Sequence, residues 1–259
     1  MKRFPCYALL VLMLAILACG SVPGASPQVE PSDIPEATTT TAPTDTPTPL
    51  PTSTPDVAAT AAVRATQSAA DTLSELDDVL GDTDIPYADG HLAWQHDSLL
   101  TIKMTGPDYR ITDIDKTLTA GNFIFKSDVT WEASGILICG AIFRSEPDLK
   151  KGRQYQFVFL RLSGLPAWAI EVHEFGNFKN TPTKTKFSDA LDLGNGSTNQ
   201  FMLVVQDDNF TLYLNGVRQG RYFDYSNQRT EGSFGFMGYQ DSGNGKCEFE
   251  NSWIWSLDQ

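Results

Sequence analysis

Tyr155 and Arg161 stand six residues apart, and Glu171 and His173 two apart, so in an extended chain each pair shares a face. A ring for stacking, a guanidinium and carboxylate for hydroxyls, and an imidazole are the group types that recognise a sugar. Arg144, at the end of a preceding apolar run, could join them if the strands lie side by side. The alternative is that Tyr155 is core and the charges form a solvated sheet face. Trp168 has the opposite parity to Glu171 and is expected in the core.

Other chemistries find less support. His91, His96 and His173 show no metal-ligand spacing, and no HExxH, Cys-x-x-Cys or Gly-x-Ser-x-Gly occurs, so no cofactor and no transition metal is expected. Asp207, Asp208 and Asn209 could coordinate calcium through oxygens or simply turn a hairpin. Cys139 and Cys247 each sit in a strand-like run and could form a disulfide outside the cytoplasm, or remain two buried thiols.

The elements that must position these residues are strands. From about Tyr87 onward, short aromatic and β-branched runs recur between Gly, Asn, Asp and Pro. Phe123, Phe125, Val129 and Trp131 fall on one face, whereas Ile136 to Phe143 is apolar on both, as in an inner strand. Asn215-Gly216 between two alternating runs predicts a tight hairpin, because both turn positions need positive φ. Roughly a dozen strands at 8–12-residue spacing, without helical period, predict an all-β, two-sheet antiparallel sandwich over residues 84–259.

The order of motifs carries a resemblance. Ile142-Phe143-Arg144, Phe201 to Val205, Tyr213 to Gly216, Gly232 to Tyr239 and the closing Cys247 to Leu257 resemble the concanavalin A-like lectin/glucanase jelly roll, in its laminin-G-like or 3-keto-disaccharide hydrolase form. The resemblance covers most of residues 87–259 and rests on turns and core strands, so it implies fold before activity. Members that hydrolyse β-glucans carry Glu-x-Asp-x-(x)-Glu on one strand. The nearest match is Glu171-Val172-His173-Glu174, where His173 replaces the Asp and Glu174 has the wrong parity. No catalytic residue is expected from that motif.

The N-terminus supplies an address. Lys2 and Arg3 precede the apolar run ALLVLMLAILA, which falls short of the roughly 20 residues a membrane span requires. Ile16-Leu17-Ala18-Cys19 resembles the bacterial lipobox, with Leu17 bulkier than usual. It implies a signal peptide over 1–18, removed before Cys19, and a lipid on the Cys19 sulfur. Residues 19–55, with TTTTAPTDTPTPLPTSTP at their end, read as a disordered, semi-extended tether. Residues 56–81 read as a helix, capped by Asp56 and stopped by Gly81, with Leu73, Leu76 and Leu80 in one stripe. That stripe could pack on the domain, pair with a second copy or leave the helix a spacer; the oligomeric state stays open.

The net charge of −13 is opposed to nucleic acid and anionic headgroups. The expectation is therefore an extracytoplasmic lipoprotein, on the cell surface or in the periplasm. It would hold out a non-catalytic sandwich whose partner is a polysaccharide or a surface protein. The glycan candidates are Arg144, Tyr155, Arg161, Glu171 and His173. An adhesion module and a glycoside hydrolase with an unrecognised site are the alternatives.

Overall fold

The structure is a computed structural model that describes residues 57–162, 164–225 and 229–258. The leader, Cys19, the tether and the Asp56 cap lie outside the described residues. Among the described residues a helix, α1 (Val57–Leu80), precedes a two-sheet antiparallel sandwich of fourteen strands. The first seven are β1 (His91–His96), β2 (Leu100–Thr105), β3 (Asp108–Asp113), β4 (Phe123–Ala133), β5 (Leu137–Ser145), β6 (Gln154–Leu162) and β7 (Leu165–Glu174). The rest are β8 (Asn177–Asn180), β9 (Lys186–Phe187), β10 (Thr198–Gln206), β11 (Asn209–Leu214), β12 (Val217–Phe223), β13 (Ser233–Gln240) and β14 (Asn244–Ser256). Sheet A runs β1-β14-β4-β10-β11-β12, with β2 also on β14. Sheet B runs β3-β13-β5-β6-β7-β8, with β9 on β7. The all-β, two-sheet antiparallel sandwich that the strand pattern predicts, and that the resemblance to a jelly roll implies, is the observed fold.

Alternation builds the core between the sheets. Phe123, Phe125, Val129 and Trp131 point inward from sheet A and meet Phe157, Phe159, Phe234 and Phe236 from sheet B. Ring pairs such as Phe123–Phe234 and Phe125–Phe201 meet edge to face, the arrangement their quadrupoles favour. Asn215 and Gly216 both take positive φ in the β11–β12 turn, as the Asn-Gly signal requires. Asp207 and Asp208 form the two-residue turn between Gln206 and Asn209. Their carboxylates are thus placed by a hairpin. Among the described residues no group of three or more His, Cys, Asp or Glu is placed to hold a metal ion. Cys139 on β5 and Cys247 on β14 are joined by a disulfide, Cα–Cα 5.8 Å, that ties the two sheets face to face.

The helix docks on the outer face of sheet A. Leu76 and Leu80 are fully buried against Ile124, Met202, Val204, Tyr213, Trp253 and Trp255, with Leu73 partly buried beside them. Of the roles open to the leucine stripe, packing on the domain is the one observed, and Leu76 and Leu80 are thereby withdrawn from pairing with a second copy. A polar latch fixes the helix azimuth. Glu75 accepts from Trp253 Nε1 at 3.1 Å and lies 3.3 Å from Lys126 Nζ, which in turn faces Asp128 at 3.5 Å. Lys126 is buried, and this pairing is what makes its burial tolerable. From Ala58 to Thr66 the helix is exposed.

Candidate functional site

Register decides which expected residues meet. In the β6–β7 hairpin Tyr155 lies opposite Val172, Gln156 opposite Glu171 and Gln154 opposite His173. The two pairs singled out from the sequence therefore occupy opposite faces of one sheet. Tyr155 points into the sandwich, 1 % exposed, stacked on Phe143 and donating to Asp224. Arg161 shares that inward face at the end of the sandwich, where its guanidinium donates to the carbonyls of Leu193 and Ala133. Arg144 is also a structural residue. It takes positive φ, is 1 % exposed, and donates from Nε and Nη2 to Gly121 O and from Nη1 to Arg229 O. Burial pulls its pKa down while the charges of Tyr155, Asp208, Asp207 and Asp258 push it back up. Trp168, 1 % exposed, is core.

Glu171 and His173 do lie together, on the outer face of sheet B. They border an open groove of about 290 Å³. Its floor is Ile138, Val158 and Met237, its flank the rings of Tyr109 and Tyr239, and its polar wall Gln156, Glu171 and His173. Gly140 lies on the same face, where an added Cβ would stand 3.1 Å from Met237 Sδ and 2.2 Å from Phe157 O. The floor is therefore kept low by backbone packing that admits no side chain.

Tyr109 spans this face. It sits on β3, yet its phenol oxygen accepts from Gln156 Nε2 at 2.8 Å, across the intervening β13 and β5. Burial of the phenol drives its pKa up to about 12; the Gln156 bond opposes this and the Glu171 charge adds to it. It therefore stays a neutral hydroxyl through all physiological pH. His173 Nε2 lies 2.8 Å from Glu171 Oε2, and its ring meets Phe178 edge-on at 6.0 Å. Two buried polar atoms of these residues, Gln156 Oε1 and His173 Nδ1, have no hydrogen-bond partner among the described residues. An unsatisfied buried polar atom is costly, and these two atoms gain a partner only if their side chains shift. Glu174, by contrast, is held below the usual carboxylate range by Arg153 and Lys179, in a separate ion-pair cluster.

Tyr109, Gln156, Met237 and Tyr239 escaped the sequence reading. Met237 and Tyr239 were within reach, since they alternate with the core residues Phe234 and Phe236 and so must face out. Tyr109 was not, because its strand, DYRITD, carries too little apolar periodicity to announce itself.

Neither a family description nor a curated protein matches the chain. Solved structures with partial likeness include a carbohydrate-binding module of Bacillus subtilis, at TM-score 0.44 and 16% identity over 63% of this chain and 92% of that one. A β-glucanase of Bacillus licheniformis aligns at TM-score 0.41 and 12% identity, over 60% of this chain and 77% of that one. Sheep galectin-11 aligns at TM-score 0.36 and 7% identity, over 56% of this chain and 98% of that one.

Proposed function

We propose that this chain is a binding module that takes a neutral extracellular glycan in the groove on the outer face of sheet B. The observation that carries the proposal is the groove's composition. An apolar floor and two tyrosine rings adjoin Gln156, Glu171 and His173. A pyranose has the complementary chemistry, with C–H faces that lie on rings and hydroxyls that hydrogen-bond a carboxylate or an imidazole. Glu171 is the one carboxylate among the described residues that line the groove. Two-carboxylate glycoside hydrolysis needs a second within about 5–9.5 Å, which supports binding over turnover. The net charge of −13 favours neutral partners. Lipidation at Cys19 and a Pro/Thr spacer would present this groove outside the membrane, and this part of the proposal rests on sequence.

A glycan array probed with the purified full chain, followed by calorimetry on the best polysaccharide, tests the reading. Tyr239→Ala and Glu171→Gln should each weaken binding by about tenfold or more, the loss expected for a stacked ring or a charge-assisted hydrogen bond. No binding to any neutral glycan by a chain shown to be folded would sink it. Turnover that disappears in Glu171→Gln would replace it with a hydrolase.

A further inference from the structure

A second cavity, of about 380 Å³, lies on the other sheet, where the loop after α1 meets the outer face of β10–β12. Arg218 and Arg221 line it from β12, and Asp82 and Asp84 line it from the loop. Three residues apart on a regular strand, the two arginines would point to opposite faces. A bulge prevents this. The β11–β12 register slips between Leu212 and Tyr213, so that Arg218 lies opposite Tyr213 and Arg221 opposite Thr211, which share a face. Gly220 in the slipped segment has φ +145, and a Cβ there would stand 2.8 Å from Tyr222 Oη. Bulges of this kind re-aim side chains beside functional sites.

The four charges are not spent on one another. Among the described residues none of Asp82, Asp84, Arg218 and Arg221 forms an ion pair within 4.0 Å. Arg221 is steadied by Nε donating to Asn209 Oδ1 at 3.0 Å. Thr211 and Tyr213 are buried residues that line the same cavity, and neither hydroxyl has a hydrogen bond among the described residues. Two arginines and two aspartates, all four exposed, thus line one space together with two hydroxyl-bearing residues.

We propose that this cavity binds a small zwitterion, an amino acid or short peptide. Its carboxylate would sit between Arg218 and Arg221, with help from the Thr211 and Tyr213 hydroxyls, and its ammonium would face Asp82 and Asp84. A simple anion would meet the aspartates and a simple cation the arginines, so a ligand carrying both charges is the one for which neither pair is repulsive. The site shares no lining residue with the groove and stands or falls independently of glycan binding.

The test is an NMR titration of the ¹⁵N-labelled full chain at low salt with trialanine, N-acetyl-trialanine and trialanine amide. Trialanine should shift the signals of residues 82–85 and 209–222. Acetylation, amidation, Arg218→Gln and Asp84→Asn should each weaken it by about tenfold, the worth of one charge-assisted contact. Both substituted side chains carry no described ion pair, so the variants should keep the parent's Tm, and an unchanged spectrum elsewhere verifies this. Unmoved signals overturn the site. Equal binding of the acetylated and free peptides overturns the zwitterion and leaves an anion site in its place.

Discussion

The Cys139–Cys247 bond offers the sharpest quantitative test of the fold. Its cysteines are 108 residues apart and both fully buried, one in each sheet. A crosslink that closes so long a loop removes about 4.8 kcal/mol of denatured-state entropy at 25 °C in the chain-entropy model. For a domain of this size each kcal/mol moves Tm by about 2–4 °C, so loss of the bond should lower Tm by roughly 10–20 °C. The cleanest perturbation removes no atom: unfold the Cys6→Ser/Cys19→Ser chain in denaturant, refold it with and without reductant, and compare melting by circular dichroism. The double Cys139→Ala/Cys247→Ala variant should melt lower still, because each alanine leaves an unfilled volume in the core. In the same Ser background, denatured and unreduced, no thiol should react. Two reactive thiols, or a reduced chain melting within about 3 °C of the oxidised one, would refute the crosslink argument.

Three further predictions concern the two outer faces. Leu76→Ala should weaken helix docking by about 2–5 kcal/mol, read as faster amide exchange across α1 while the strands of sheet B keep their protection. Tyr109 should remain protonated until about pH 12. Because its folded pKa is raised above the unfolded 10.0, its contribution to stability is intact below pH 10 and is lost as pH climbs toward 12. Tyrosinate absorbance should lose one late-titrating phenol in Tyr109→Phe, and an unchanged high-pH limb would contradict the buried hydroxyl. Gly140→Ala should destabilise by about 1–3 kcal/mol, since its methyl would be driven into the Phe157 carbonyl; an unaltered Tm would show that this strand can yield.

What the sequence makes legible here is what period and turn chemistry control. Phe123, Phe125, Val129 and Trp131 declared their common face, and Asn215-Gly216 and Asp207-Asp208 their turns, because each depends on a few adjacent residues. The site depended on distances along the chain that no local pattern reports. Parity within β6 and within β7 was readable, but which parity of one meets which of the other is set by the register of the hairpin. That register sends Tyr155 and Arg161 inward and Glu171 and His173 outward. Bulges erase parity altogether. Asn251 at positive φ lets Ile254 face the core while Trp253 and Trp255 lie under the helix. Arg144 read as a glycan candidate and is buried, since a guanidinium can be satisfied by backbone carbonyls that only the assembled fold brings near.

The docked helix has a mechanical side. Its 24 residues extend about 36 Å, and its buried contacts to sheet A begin at Ala69, past the midpoint. A pull at Val57 directed away from the domain therefore acts through an undocked lever. It would load the Thr72–Leu80 contacts one turn after another, with the Glu75–Lys126–Trp253 latch among the first to break. The sandwich, its sheets held together by a covalent bond, would feel that load only after the helix had peeled away. Under such a pull the helix would act as a fuse, yielding before the disulfide-linked sheets.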